Sequence, residues 1–371
     1  MSSHLESPTK LASTAAVNQA GLWLLQSGIQ EPNGGFARYY IAEKGENRAV
    51  STEITGYAIS TLAYLYSLKN DPRYLDTAVR AGSFLTDVAW DSALQVFPFE
   101  WTADASANEP LAYFFDSGII VRGLLSLWRI TSDRRLLDIA IACGRSMAVT
   151  FAAPNGEFHP ILRLPDKVPL PRTDRWSRTT GCYQLKSALA WYDLHKITGE
   201  PDFLNWYENL LAESLRTHQS YLPGAEGDDV MDRLHPYCYF LEAILPRAER
   251  PEVTSALKFG IDRVALFVRE FGTRFVRSDV IAQLLRVRLL ADRAGAVRLD
   301  RKLASAEAKV LASYQPHRGD RRVKGGFYFA KRKNQFELHA NPVSTGFALQ
   351  ALTMWRQYLA GELQFSTDPL I

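Results

Sequence analysis

The 371-residue chain has few of the features that hold secreted, metal-binding or membrane proteins together. Its three cysteines, Cys143, Cys182 and Cys238, fall inside helical patterns and form no CxxC spacing, so neither a disulfide framework nor a zinc site is indicated. No apolar run approaches the roughly 18 residues of a membrane span, and the first ten residues, MSSHLESPTK, lack a basic region followed by an apolar core. We therefore expect a reduced, cytoplasmic protein without membrane insertion, and only an export route that needs no such signal stays open.

The chain has no large excess of positive or negative charge, since the formal net charge is only +3. The densest basic cluster, which spans residues 318–324, is interrupted by an acidic residue and is typical of a solvated loop. No nucleic-acid partner is expected.

What the chain does have is an internal repeat. The stretch FFDSGIIVRGLLSLWRITSDRRLLDIAIACGRSM, residues 114–147, predicts two apolar helices joined by a short turn in which Asp133 caps the second helix. Similar stretches cover residues 53–85 and 180–215, with the turns KNDPRYL, TSDRRLL and TGEPDFL in register, at a spacing of about 60 residues. Looser copies follow at residues 234–271 and 278–314.

These pairs give twelve helices in total. The first helix, from Leu11 to Gly28, has no partner upstream, and the last, from Val343 to Gly361, has none downstream. Both carry apolar faces, which an open superhelix would leave unprotected at its ends, so the two helices are predicted to pair with each other. The expected fold class is all-α, an (α/α)6 toroid that spans residues 1–371 as a single domain, with a flexible N-terminus (1–10) and a C-terminal tail (362–371).

The links between helical hairpins are long, whereas the turns within them are short. The five long links are 29–50, 89–114, 151–177, 220–232 and 315–342, and only the link 272–276 is short. Because the helices alternate in direction, all the links emerge on the face where the inner helices begin, and long loops in a compact domain usually carry function. Two links contain GGF, at residues 34–36 and 325–327, which we interpret as short β-hairpins over the mouth of the toroid.

The hairpin sequences, together with NGGFARYY near the start and the segment from His235 to Ala243, resemble a family of bacterial toroid proteins. These accompany polysaccharide gene clusters and are related in architecture to six-hairpin glycosidases, uronyl hydrolases and N-acylglucosamine 2-epimerases. The resemblance implies a carbohydrate substrate and an association with polysaccharide-assembly machinery. Terpene cyclases share the toroid, but the acid motif of the squalene-type cyclases is absent.

Acidic side chains recur at the predicted entrances of the inner helices. Glu53 and Asp116 lie on neighbouring helices beside aromatic residues, where burial would raise a carboxyl pKa, and glycoside hydrolysis requires one protonated and one ionised carboxyl group. We predict that this pair is catalytic, with Asp279 and Asp232 as substitutes. Each acid alone is also a normal helix cap, and it is their convergence on one axis that favours chemistry.

Histidines, arginines and rings complete the predicted site. His235 precedes Pro236, which fits the first position of a helix and would direct the imidazole into the cup, where it could move a proton. His339 is the second histidine that an epimerase would need. The residues assigned to substrate binding are Tyr39, Tyr40, Trp101, Arg175, Trp176, Arg178, Tyr237, Asp279 and His339. Guanidinium groups suit carboxylates, and aromatic rings stack on sugars.

No metal or cofactor is expected. Asp228, Asp229 and Asp232 spell DDxxD, a motif that gathers magnesium in terpene synthases, but no second metal motif accompanies it, and an acidic loop that ends in the Asp232 helix cap is the better explanation.

Three hypotheses follow. The first is an enzyme, a glycoside hydrolase that acts on an acidic oligosaccharide or polysaccharide by carboxylate acid/base catalysis. The second is a sugar or uronate epimerase or lyase that uses histidine and tyrosine. The third is a carbohydrate-binding or polysaccharide-assembly protein without catalysis.

Overall fold

The computed structural model describes residues 8–102, 110–222 and 230–371, with side chains from residue 14 onward. Twelve α-helices dominate these described residues. The helices are α1 (Pro8–Gln26), α2 (Thr52–Lys69), α3 (Pro72–Ser83), α4 (Phe114–Thr131), α5 (Arg134–Thr150), α6 (Leu185–Thr198), α7 (Pro201–Tyr221), α8 (Val230–Ile244), α9 (Pro251–Phe271), α10 (Ser278–Arg293), α11 (Arg301–Ala312) and α12 (Pro342–Ala360). Residues 1–7 of the predicted flexible N-terminus lie outside the described residues.

The even-numbered helices form a closed inner ring. Each packs against the next, from α2 through α4, α6, α8 and α10 to α12, and α12 packs back against α2. The odd-numbered helices lie outside, each paired with the inner helix that precedes it, while α1 pairs with α12. The predicted (α/α)6 toroid, closed by its first and last helices, is confirmed.

The repeated turns end one helix and start the next by local rules. Asn70, Ser132 and Gly199 adopt the left-handed conformation that stops an inner helix. Asp71 and Asp133 then accept hydrogen bonds from the backbone N–H groups of Arg73 and Arg135, each at 3.0 Å, which caps the following outer helix. The register of KNDP and TSD in the sequence therefore reflects one recurring hairpin geometry.

Glycines bring neighbouring inner helices into direct backbone contact. A Cβ added to Gly118 of α4 would lie 2.4 Å from the backbone of Ser187 in α6. A Cβ at Gly123 would lie 2.5 Å from the carbonyl oxygen of Gly56 in α2, and one at Gly346 of α12 would lie 2.5 Å from the Thr61 hydroxyl of α2. Only glycine at these positions allows the inner helices to approach one another this closely.

The long links carry four three-stranded antiparallel sheets on the face where the inner helices begin. The first sheet joins β1 (Phe36–Ala37), β4 (Val50–Ser51) and β5 (Glu100–Trp101). The second joins β12 (His339–Ala340), β2 (Tyr40–Ile41) and β3 (Glu46–Asn47), so the first and last links pair with each other across the closure of the ring. The third and fourth contain β6 (Leu111–Tyr113), β7 (Ile161–Arg163) and β8 (Val168–Pro169), and β9 (Phe275–Arg277), β10 (Ala330–Arg332) and β11 (Gln335–Phe336).

The two GGF motifs anchor loops to inner helices. The backbone N–H of Phe36 donates to the Thr55 hydroxyl at 2.9 Å, and that of Phe327 donates to the Thr345 hydroxyl at 3.0 Å. The first motif ends a small antiparallel bridge between Gln30 and Phe36, whereas the second precedes the β10–β11 hairpin and forms no strand of its own in the described residues. The second predicted hairpin therefore lies a few residues after its GGF motif, because the backbone N–H of Phe327 is engaged by Thr345 of α12.

The tail, residues 362–371, fills the ring from the end where the inner helices stop. Arg122 of α4 donates to the carbonyl oxygens of Leu370 and Thr367, at 2.8 and 3.0 Å. Lys186 and Arg286 both donate to the carbonyl oxygen of Ile371, at 3.1 and 3.2 Å. The ring is thus a cup with a floor, and not an open channel.

We predict that Gly118→Ala lowers the free energy of unfolding by about 3 kcal/mol, because the added methyl group meets backbone atoms of Ser187 that cannot turn aside. Chemical denaturation measures the change. Ser126→Ala is the matched control, since Ser126 lies half-buried on the same helix and should change stability by less than about 1 kcal/mol. Equal effects of the two substitutions would contradict the close approach of α4 and α6.

Candidate active site

A cavity of about 810 Å³ opens at the mouth of the ring, at the N-terminal ends of the inner helices. We call it the cup. Its lining combines acids, arginines, histidines and rings from four links and four inner helices. The lining residues are Arg38, Tyr39, Glu53, Ile54, Asp174, Arg175, Trp176, Asp232, Arg233, His235, Tyr239, Arg277, Asp279, Phe329, His339, Asn341 and Val343.

Glu53 lies in the first turn of α2, which begins after the Ser51 cap. Burial raises the pKa of Glu53 to about 7, and the nearby Arg38 guanidinium only partly offsets this effect. Arg38 in turn pairs with Glu100 at 2.8 Å. Glu53 is therefore a carboxyl group that holds its proton close to neutral pH.

Asp116, in the first turn of α4, is the closest acidic partner of Glu53 in electrostatic terms. Burial raises its pKa well above the ordinary value, and the charge of Glu53 raises it further. Its Oδ2 atom is buried and has no hydrogen-bond partner among the described residues. Asp116 is thus close enough to Glu53 for their charges to interact, but only Glu53 lines the cup.

His235 lies one turn into α8 and is held in a polar network. Its Nδ1 is 2.8 Å from Oε1 of Gln283 and 3.6 Å from Oδ2 of Asp279. Burial lowers the pKa of His235 to about 4, so the imidazole is neutral at physiological pH. A neutral ring whose Nδ1–H donates to the Gln283 oxygen carries its lone pair on Nε2 and can accept a proton there.

Asp279 stays ionised although it is buried. Burial alone would raise its pKa, but Arg277 pairs with both carboxylate oxygens, at 3.0 and 2.8 Å, and holds the pKa below its usual range. Arg277 also reaches Asp232 at 2.7 Å. The cup therefore contains one carboxyl group kept protonated and another kept charged.

His339 lines the cup beside two aromatic rings. It stacks on Phe329, with ring centroids 4.9 Å apart, and its ring centroid is 5.2 Å from that of Tyr39. Burial lowers the pKa of His339 as well. Trp176 stands edge-on to His235 at 6.2 Å. Apolar faces and two neutral imidazoles thus surround the polar centre.

Four residues assigned to substrate binding lie away from the cup lining. Tyr40 is buried, and its hydroxyl donates to Asp320 at 2.8 Å. Trp101 belongs to the first sheet and packs edge-on against Phe84, which follows α3. Arg178 ends a short 3₁₀ helix over residues 176–178, before α6, and does not line the cup.

Tyr237 is the fourth, and helical geometry explains its position. Its hydroxyl lies 2.9 Å from Nδ1 of His218 on α7, on the outer side of α8. The residue on the His235 face is Tyr239, because side chains four positions apart share a helix face. The helix begins at Val230, so Pro236 lies inside it. The prediction that Pro236 occupies the first position of the helix is therefore wrong.

Several lining residues carried little signal in the sequence. Arg277 precedes the α10 entrance by one residue and could have been found from its charge next to Asp279. Tyr239 follows from helical spacing. Arg38 and Arg233 sit in stretches whose backbone path no pattern predicted. Asp228 and Asp229 lie outside the described residues, and no group of three or more metal-binding side chains occurs in the part of the chain that is described.

We predict that Glu53→Gln stabilises the protein at alkaline pH. The folded protein binds a proton at Glu53 up to about pH 7, whereas the unfolded chain releases it near pH 4.5. The stability from this group is therefore complete below about pH 4.5 and is lost as the pH rises to about 7. At pH 8, denaturation of Glu53→Gln should give a free energy of unfolding about 1 to 3 kcal/mol above wild type. The gain should vanish at low pH, and Glu43→Gln, at an exposed residue of the link that precedes α2, should show none; a gain that is independent of pH would contradict the buried carboxyl group.

Comparisons with known proteins identify the fold. No protein-family model and no curated protein matches the chain. Among solved structures, cellobiose 2-epimerase from Spirochaeta thermophila superimposes with a TM-score of 0.72 at 15% identity, covering 97% of this chain and 100% of that one. A D-mannose isomerase gives 0.69 at 12% identity, covering 95% and 100%, and a type II terpene cyclase from Scytonema gives 0.58 at 15%, covering 94% and 99%. None of the described helices is long and apolar enough to cross a membrane. The resemblance to epimerase and six-hairpin glycosidase toroids is thus confirmed at the level of the fold.

Proposed function

We propose that the protein is a carbohydrate-active enzyme whose cup binds an acidic sugar unit of an oligosaccharide or polysaccharide. One observation carries the proposal: a protonated Glu53 and an ionised Asp279 line the same cavity, and environments that push two carboxyl pKa values apart are what acid/base chemistry on sugars requires. The sugar reactions named for the solved epimerase and isomerase of the same fold support this substrate class.

The charge of the lining favours an acidic sugar. Arg38, Arg175 and Arg233 line the cup, and a guanidinium group can bind a planar carboxylate at two points. Arg277 is engaged by Asp279 and Asp232 and serves to hold them. Tyr39 and Trp176 supply rings for the apolar face of a sugar.

In the hydrolytic reaction Glu53 donates its proton to the leaving glycosidic oxygen, while Asp279 accepts a proton from the attacking water. We assign Asp116 a positioning role, because its charge interacts with that of Glu53 although its own carboxyl group does not line the cup. Activity that depends on protonated Glu53 should decline as the pH rises through about 7.

A second candidate, epimerisation or elimination, is favoured by the two neutral histidines. His235 is oriented by Gln283, so Nε2 can take a proton from a carbon beside a carbonyl, and His339, which lines the same cup, can return one. This reaction involves no attack by water.

We predict that turnover of uronate-containing oligosaccharides separates the two reactions. A panel of pectic, alginate and glycosaminoglycan fragments is incubated in deuterated water, and reducing ends are counted while mass spectrometry detects deuterium on carbon. Hydrolysis creates reducing ends without deuterium on carbon and without a carbon–carbon double bond, whereas elimination also creates reducing ends but leaves a double bond that ultraviolet absorbance detects. Glu53→Gln should slow hydrolysis by about 100-fold.

Glu43→Gln is the matched control and should leave the rate unchanged. Deuterium on carbon that disappears in His235→Gln would transfer the assignment to the epimerase reaction. Absence of both products from every fragment would contradict an enzyme of acidic carbohydrates.

A further inference from the structure

A second cavity, of about 420 Å³, lies beside the cup on the outer side of the ring. One wall is a single face of α7, which presents Trp206, Asn209, Glu213 and Thr217 at intervals of three or four residues. The other wall is the link between α5 and α6, around Gly156–Phe158 and Thr179–Gln184. We call this cavity the α7 groove.

Two buried hydroxyl groups of the groove have no hydrogen-bond partner within the described residues: those of Ser214 and Tyr221. Ser214 is only 1% exposed. A serine inside a helix normally bonds to the carbonyl oxygen of the preceding turn, as Thr217 does to Glu213 at 2.8 Å. Ser214 does not, so its hydroxyl is available to a polar ligand, and a buried polar group without a partner costs stability until it finds one.

The remaining chemistry of the groove suits a neutral sugar unit. Trp206 contributes an aromatic surface that is supported from behind by Trp191, with ring centroids 5.6 Å apart. Asn209 adds an amide that can both donate and accept hydrogen bonds. The two carboxylates in the walls, Glu157 and Glu213, are paired with Arg172 and Arg216, at 2.7 and 2.6 Å, so the walls offer little net charge to a ligand, in contrast to the arginines of the cup.

Arg233 connects the two cavities. It lines both the cup and the α7 groove, and its guanidinium group lies 4.7 Å from the centre of the Tyr221 ring. Arg233 therefore lies at the boundary between the cup and the α7 groove.

We propose that the α7 groove is a second carbohydrate-binding site, which takes a neutral sugar unit of the same chain whose acidic unit occupies the cup. This inference rests on the proposed function and extends it: the substrate alternates acidic with neutral sugars and is longer than a disaccharide.

Calorimetric titration with hyaluronan fragments of two, four and six sugars, which alternate glucuronate with N-acetylglucosamine, tests the inference. The longer fragments should bind the wild-type chain at least tenfold more tightly than the disaccharide. Asn209→Ala and Ser214→Ala should each weaken hexasaccharide binding about fivefold and leave disaccharide binding unchanged.

Asn205→Ala is the matched control, because Asn205 is exposed on the same helix but does not line the groove. It should bind all fragments as wild type does, and thermal unfolding of each variant confirms that the fold is kept. Equal affinity for short and long fragments, or wild-type affinity in Asn209→Ala and Ser214→Ala, would overturn the groove site while leaving the proposed function intact. Failure of every fragment to bind, together with absence of turnover in the panel above, would overturn both.

Discussion

The cup depends on the contact between α12 and α2, which closes the inner ring. This contact needs Gly346 against Thr61, just as the α2–α4 contact needs Gly56 and Gly123 and the α4–α6 contact needs Gly118. Once the ring is closed, six helix N-termini point to one axis, and residues far apart in the chain become neighbours. The second sheet, which pairs β12 with β2, repeats the same closure at the level of the loops.

Desolvation inside the closed ring then separates the protonation states. Burial raises the pKa values of Glu53 and Asp116, lowers that of His235, and would raise that of Asp279 if Arg277 were absent. Below the cup, Glu242 accepts hydrogen bonds from Lys186, at 2.9 Å, and from Arg286, so the buried charges of the floor are paired. Two polar layers therefore lie within one ring. The layer at the mouth is the one to which we assign chemistry, and the layer over the tail consists of paired charges.

The fold could be predicted well from the sequence because it depends on local sequence features that repeat along the chain. Hairpin turns, capping aspartates and apolar faces repeat, and each copy constrains the others. The prediction even placed Glu53, His235, Asp279 and His339 at the mouth, since helix entrances can be counted along the chain.

The site itself was harder to predict, because its details depend on side-chain direction and on loop paths. Tyr237 and Tyr239 differ by two positions in one helix, and only the second faces the axis. Tyr40 and Trp101 pack within the loops. The amino-acid composition of a loop does not show whether its aromatic rings pack internally or stack on a substrate. Asp116 has the predicted neighbour but does not line the cup, and the sequence does not show which of two neighbouring carboxyl groups reaches the cavity.

The most direct test of this account is a carbon-13 NMR titration of the glutamate side-chain carboxyl groups. The account predicts that one signal, absent from Glu53→Gln, titrates with a midpoint near pH 7. Glu307, whose pKa burial also raises to about 7, is identified in the same way with Glu307→Gln. A Glu53 signal that titrates near pH 4.5 would mean that this carboxyl group is solvated, and it would contradict the closed, desolvated cup and the acid chemistry assigned to it.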